Sequence, residues 1–306
     1  MELMCLHTGF IDSLRGITVL LYLDKEIQEQ SESRITNKET DSKRIQKVSK
    51  PKQESKVLTR VLQSCALNGG IFWLSIIIFE YALLPSVKYF ISVIFGHDPG
   101  VALNVWEWMQ PFLSMTFRMI WVLPLFLLSK LVNSLWFQDI ADSAYRHRRG
   151  APQTMANVSK IIADTLFSLL VQALFLVQSM LVSMLPIVYV GQILCLVHMC
   201  LLYSLYSFEY KWYNMGWELH KRLTFIETNW PYFLGFGMPL ALLTQIPQSY
   251  IISGCVFSIL FPLFILSGNE ATPMMGTEYP LRLFSPVVAI SNGMFRALRR
   301  GADRSR

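Results

Sequence analysis

Two stretches of this 306-residue chain, residues 165–208 and 228–269, contain no Asp, Glu, Lys or Arg at all. Each is thick with Leu, Ile, Phe, Val and Met, and each carries a proline near its middle, Pro186 or Pro247. Either stretch as one helix would run roughly 63 to 66 Å, about twice the ~30 Å hydrocarbon thickness of a bilayer. The pattern predicts two helical hairpins in a membrane, with proline ending one helix and no charge that would need hydration. Charge is sparse throughout, at 16% of residues against about 25% in ordinary globular chains, and mean hydropathy is +0.38. These values argue against a soluble class and for an all-α, polytopic integral membrane protein.

Other absences narrow the function. Five cysteines, Cys5, Cys65, Cys195, Cys200 and Cys255, form no CxxC pair and read as small buried hydrophobes in a reducing setting. HExxH, GxSxG and a phosphate-binding glycine loop are all missing, so neither an enzyme nor a cofactor is expected. Asp139 and Asp142 form a lone DxxD, too weak to indicate metal. The basic run Lys43, Arg44, Lys47, Lys50, Lys52, Lys56 and Arg60 lacks interleaved aromatics, which argues against nucleic acid. Beside a membrane span it suits anionic lipid, at about 1 kcal/mol per basic residue near the surface. Arg299 and Arg300 in the basic C-terminal segment are assigned the same contact.

The chain divides into an N-terminal amphipathic helix (1–23), a polar tail (24–60), a membrane domain (61–272) and a short basic C-terminus (273–306). Residues 10–21 place Phe10, Ile11, Leu14, Ile17, Leu20 and Leu21 at helical spacing, with Asp12, Ser13, Arg15 and Thr18 turned away, as suits a membrane surface. From Asp24 to Lys56, 16 of 33 residues are charged, the composition of a disordered or loosely helical segment. Full spans are expected at about 65–84 and 111–137, separated by a polar loop containing Trp106 and Trp108. The hairpins are expected at about 161–208 and 231–268. Lys and Arg fall before the first span, between the second span and the first hairpin, between the hairpins and after the second. By the positive-inside bias those segments, both termini included, are cytosolic. This parity holds whether each hairpin crosses the membrane or dips in and returns. The sequon at Asn157 falls on that face and is expected to stay unmodified.

Between the hairpins Trp212, Met215, Leu219, Leu223, Ile226 and Trp230 recur at three- and four-residue spacing, the stripe of a helix lying in the cytosolic interface or, alternatively, of a packed linker. Glu80 with Arg118, and Lys130 with Asp164, sit at matching depths and form two candidate intramembrane ion pairs. His198, midway along an apolar run, reads as a hydrogen-bonded structural histidine rather than a proton or ligand site.

Several segments resemble one eukaryotic family, the etoposide-induced autophagy transmembrane proteins of the endoplasmic reticulum, whose nematode members are known as ectopic P granules autophagy proteins. They are "LNGGIFW" (Leu67 to Trp73), "WVLPLFLLSKLVNSLWFQDIADSAY" (Trp121 to Tyr145), "VSKIIADTLFSLLVQALFLVQSM" (Val158 to Met180), "LLYSLYSFEYKWYNMGWELHKRLTFIETNWPYFLGFGMPLALL" (Leu201 to Leu243) and "SYIISGCVFSILFPLFILSGNEA" (Ser249 to Ala271). "WFQDIAD" and "FEYKW" in that order are its most specific marks, while Glu80 and Arg118 fall outside the family pattern. The resemblance implies a multi-pass endoplasmic reticulum protein needed for macroautophagy, at autophagosome maturation. Its implied partners are the lipid bilayer and either autophagy machinery or other membrane proteins of that compartment, and the sequence leaves assembly as a homo-oligomer open. The layout more distantly resembles the bacterial CysZ sulfate permeases, so the alternative is a small-solute or anion channel. Gln172, Gln178, Gln192, His198 and Gln245 facing one interior would favour that alternative; serving helix contacts, they would favour a membrane-organising factor.

Overall fold

Lipid inverts the usual rule for an amphipathic helix, and the N-terminal helix α1 (Glu2–Asp41) follows the inverted form. The computed structural model describes residues 1–41, 57–95, 99–152, 158–187, 189–247, 249–275, 277 and 279–304. In it Asp12 and Ser13 are buried, while Ile11, Leu14, Ile17 and Leu21 are exposed. The side turned to protein holds Cys5, Gly9, Asp12, Ser13, Gly16, Val19 and Leu23, while Arg15 and Thr18 are exposed with the apolar stripe; Asp12 and Ser13 turn away from the stripe as expected, but toward protein rather than water. Against hydrocarbon the apolar side belongs outside and the small side allows backbones to approach. The helix also runs unbroken through residue 23, so residues 24–41 are helical. Lys43, Arg44, Lys47, Lys50, Lys52, Lys56 and Asn157 lie outside the described residues.

Two long rods follow. The first combines α2 (Val57–Cys65), α3 (Leu74–Ile78) and α4 (Leu84–Ile94), joined by π-helical stretches Ala66–Trp73 and Phe79–Leu83. Asp24 of α1 starts it, accepting hydrogen bonds from the Val57 and Leu58 N–H groups at 2.7 and 3.0 Å. These are two of the donors that a helix N-terminus leaves without an intrahelical partner. The second rod is α5 (Pro99–Phe117), a π-helical stretch Arg118–Val122, and α6 (Leu123–Arg149). Most of the polar loop expected between the spans is thus helix. Pro85 is tolerated because it occupies the first turn of α4. Between the rods Ser64, Asn68, Ser129 and Asn133 are buried in one hydrogen-bonded network, with Ser129 Oγ donating to Asn68 Oδ1 at 2.6 Å.

Both hairpins form, and both prolines lie in their turns. In the first, α7 (Val158–Ser183) and α8 (Val190–Asn214) are joined through Pro186 and Tyr189, the latter in the left-handed region at φ 66°. A short α9 (Leu219–Thr228) leads to the second, α10 (Trp230–Gln245) and α11 (Tyr250–Glu270), joined through Pro247. Gly216 ends α8 at φ 68°, and Trp217 N–H reaches back to Trp212 C=O at 2.9 Å, the closure that a left-handed glycine makes possible. Among the described residues, five helical segments are long and apolar enough to cross a membrane. With 16 residues, or ~24 Å, α10 is shorter than a typical hydrocarbon core. The core centres on α8, where Phe208 meets Trp212, Tyr232, Phe233 and Phe236. The last helix, α12 (Ser285–Arg304), lies along α7, with Phe284 stacked on Phe175 at 4.1 Å.

Candidate functional site at the junction of the hairpins

Five consecutive residues of α8, Phe208 to Trp212, turn toward different neighbours and tie four helices together. Glu209 faces α7, where Ser168 Oγ donates to it at 2.5 Å and Gln172 Nε2 at 2.6 Å. Arg222 of α9 completes the cluster and is itself buried, at 1% exposure. Its Nη1 is 3.4 Å from Glu209 and its Nη2 3.0 Å from Asp164, while its Nε donates to Trp217 C=O at 2.8 Å. Asp164 also accepts from the Leu219 N–H at 3.1 Å, which anchors the start of α9 to α7. One guanidinium therefore serves two carboxylates and a carbonyl, the arrangement that makes a buried charge tolerable.

Lys211 points the other way. Its buried Nζ donates to Gly268 C=O at 3.0 Å and Ala271 C=O at 2.5 Å, satisfying carbonyls at the C-terminal end of α11. A cation is favoured there because the helix end carries partial negative charge. Trp212 stacks on Trp217 with rings 7° from parallel and packs edge-on to Phe225 and Phe233. The second specific motif, Trp136 to Asp142, supplies the outer clasp. Phe137 packs on Phe261, Asp139 pairs with Arg60 at 3.3 Å, and Asp142 accepts from Asn214 at 2.9 Å. Arg148 holds Glu270 through two nitrogens at 2.6 and 2.7 Å. Outside the spans, burial pushes the Glu227 carboxyl above its usual range, although the Phe284 and Ser285 N–H groups pull it down; the first donates at 2.8 Å.

Several sequence expectations change here. Trp212, Leu219, Leu223 and Ile226 are buried in the protein core and Trp230 is half-buried, so their stripe belongs to a packed linker rather than to a helix in the lipid interface. Helical spacing cannot distinguish the two, since both bury one apolar face. Lys130 and Asp164 do not pair, because Asp164 is taken by Arg222 while the Lys130 ammonium sits 5.2 Å over the Phe126 ring. Glu80 and Arg118 are both exposed and form no ion pair, although their neighbours Phe79 and Phe117 stack at 3.8 Å. Arg60 contacts Asp139 and Gln63, and Arg299 and Arg300 lie on α12. His198 is hydrogen-bonded as expected, with Nδ1 donating to Leu194 C=O at 2.7 Å and Nε2 3.0 Å from the Gln178 amide. All five cysteines are free, and three are buried. The roles of Arg222 and Glu209 are not among the sequence expectations; the signal available is that both belong to the six charges from Glu209 to Glu227 that separate the two uncharged stretches.

These features define an all-helical, multi-pass membrane protein whose two hairpins are locked together by buried charges. The family described as "Sulfate transporter CysZ/Etoposide-induced protein 2.4" matches over residues 49–266, and the chain belongs to it. It is 30% identical over 279 residues to "Ectopic P granules protein 4" of Caenorhabditis elegans, covering 87% of this chain and 81% of that one. It is also 30% identical over 246 residues to "Protein EI24 homolog" of Arabidopsis thaliana, covering 71% and 76%. A protein of the same description from Dictyostelium discoideum is 27% identical over 224 residues, covering 72% of this chain and 68% of that one. No solved structure matches.

Proposed function

We propose that this protein is a non-enzymatic, membrane-organising factor of the endoplasmic reticulum, required for macroautophagy at the stage of autophagosome maturation. Its family supports the autophagy role, and the observation that carries the organising reading is how its polar groups are used. Gln172 bonds Glu209, Gln178 bonds His198 and Leu283 C=O, and Gln192 and Gln245 are exposed, so the five polar side chains do not line one interior. Groups engaged in helix contacts hold the bundle together and are not presented to a passing solute. The basic segments face the cytosol in this reading and meet anionic lipid, with autophagy machinery or other endoplasmic reticulum membrane proteins as partners.

Cells lacking the protein should form early autophagic membranes yet accumulate undegraded cargo; normal clearance would overturn the autophagy role. The family description includes a sulfate transporter, which makes anion passage the second reading. Pure protein in liposomes should pass no more labelled sulfate than empty liposomes, and saturable uptake would replace the organising role with transport. The expected topology is tested separately. Tags at Met1, near Gly150 and at Arg306 should all be digested by protease added outside sealed microsomes, and protection of any one contradicts cytosolic termini.

A further inference from the structure

The two rods are much longer than a membrane is thick. At ~1.5 Å per residue the 38 residues of Val57–Ile94 extend about 57 Å, against a hydrocarbon core of ~30 Å. Charges show where that core lies on them. Arg60 and Asp139 pair at one level, and about twenty residues further along each rod, ~30 Å away, come Glu80 and Arg118, with Lys130 the only charge between. Beyond Glu80 and Arg118 the rods continue as an arm, α4 and the facing part of α5, on the side opposite the basic loops.

This arm is amphipathic as a unit. Among the described residues of the arm Ile91 and Trp106 are buried, α4 packs against α5, and Lys88 of α4 lies 5.9 Å over the Trp106 ring. At helical spacing from Ile91, the exposed Phe90, Val93 and Ile94 share one side of α4, and Lys88 and Ser92 share another. On α5 the exposed Trp108, Phe112 and Met115 share one side and Glu107 and Gln110 another. Because the helices are antiparallel and pack against each other with Lys88 over Trp106, the two apolar sides fall on the same face of the arm. An apolar face of this size with aromatic rings cannot be left in water without a partner. It is continuous with the exposed apolar surface of the spans, where Ile71, Ile78 and Ile120 already face outward. A means of reorienting the arm is also present. The π-helical stretches Phe79–Leu83 and Arg118–Val122 lie at one level, with Pro85 two residues beyond the first and Pro111 about two turns beyond the second, and such elements are where helices bend.

We propose that this arm lies in the headgroup region of the far leaflet of its own membrane, apolar face toward the acyl chains, as an interfacial helical hairpin. The protein then grips the leaflet opposite its basic loops as well as spanning the bilayer, whatever its role in autophagy. The test places an environment-sensitive dye on Phe90→Cys and Phe112→Cys, and on Ser92→Cys and Gln110→Cys of the polar side, in phosphatidylcholine liposomes. Unsubstituted protein treated identically supplies the background from native cysteines. The first pair should be quenched by lipid spin-labelled near the headgroup and shielded several-fold from aqueous iodide, and the second pair should show the reverse. Equal iodide access on both faces overturns the proposal. So does shielding of the first pair that disappears when the protein is diluted in lipid, which would make the occupant a second copy. Unsubstituted protein photolabelled by a carbene-bearing phospholipid should carry adducts at 90–94 and 108–115, and their absence would count equally against the lipid contact.

Discussion

Arg222→Met should abolish recovery of monodisperse protein, whereas adding Glu209→Gln and Asp164→Asn to it should restore much of the yield. The guanidinium is fully buried and is the cation between two carboxylates at 3.4 and 3.0 Å. Removing it leaves two negative charges facing each other across α7, α8 and α9, and breaking a buried pair typically costs about 3–5 kcal/mol. Neutral amides in place of the carboxylates remove the repulsion while keeping most of the shape. Thermal unfolding of purified variants in detergent checks both halves. If the triple variant is no better than Arg222→Met alone, the cluster's charges are not what hold the hairpins together, and the packing of the Arg222 stem is.

The fold was legible where composition alone decides it. Two uncharged runs with central prolines can only be helical hairpins, and Pro186 and Pro247 lie in the turns. What spacing could not supply was which side of a helix faces protein. On α1 spacing separates the apolar stripe from Asp12 and Ser13, but it does not show that the side bearing Asp12 and Ser13 packs on protein while Arg15 and Thr18 stay exposed. The same ambiguity sent the Leu219, Leu223 and Ile226 stripe to the lipid interface when it is core. Matching Lys130 to Asp164 by depth failed because depth fixes one coordinate of three, and Arg222, nearer around the bundle, had the better claim on the carboxylate. The motifs that mark the family proved more informative about the site than about any reaction. "FEYKW" is the five-residue joint of α8: Phe208 packs on Phe233, Glu209 accepts from Ser168, Tyr210 packs on Phe261, Lys211 donates to Gly268 C=O, and Trp212 stacks on Trp217.

Gly16→Leu and Gly9→Leu should each detach α1 from the bundle, with an effect far larger than Gly70→Leu on the first rod. A Cβ on Gly16 would collide with the backbone carbonyl of Leu263, one on Gly9 with that of Tyr232, and one on Gly70 with nothing within 4 Å. Backbone atoms inside α10 and α11 cannot swing aside as a side chain could, so the whole of α1 must move outward. That movement breaks two sets of contacts. The Gly16 N–H loses Ser267 Oγ at 2.7 Å, and Asp12 loses the Tyr232 hydroxyl at 2.7 Å, keeping its pairing with Arg15 of the same helix at 3.0 Å. Overpacking alone costs about 1–3 kcal/mol, and the orphaned polar groups add to it. Detachment also withdraws Asp24 from the start of α2, so the first rod should fray at its N-terminal turn. Limited proteolysis of purified protein in detergent distinguishes the outcomes: both seam variants should be cut within residues 1–41 at protease levels that leave the parent and Gly70→Leu intact. Resistance of Gly16→Leu equal to the parent would mean that α1 can shift along its groove without releasing, and that the close seam is not what fixes its position.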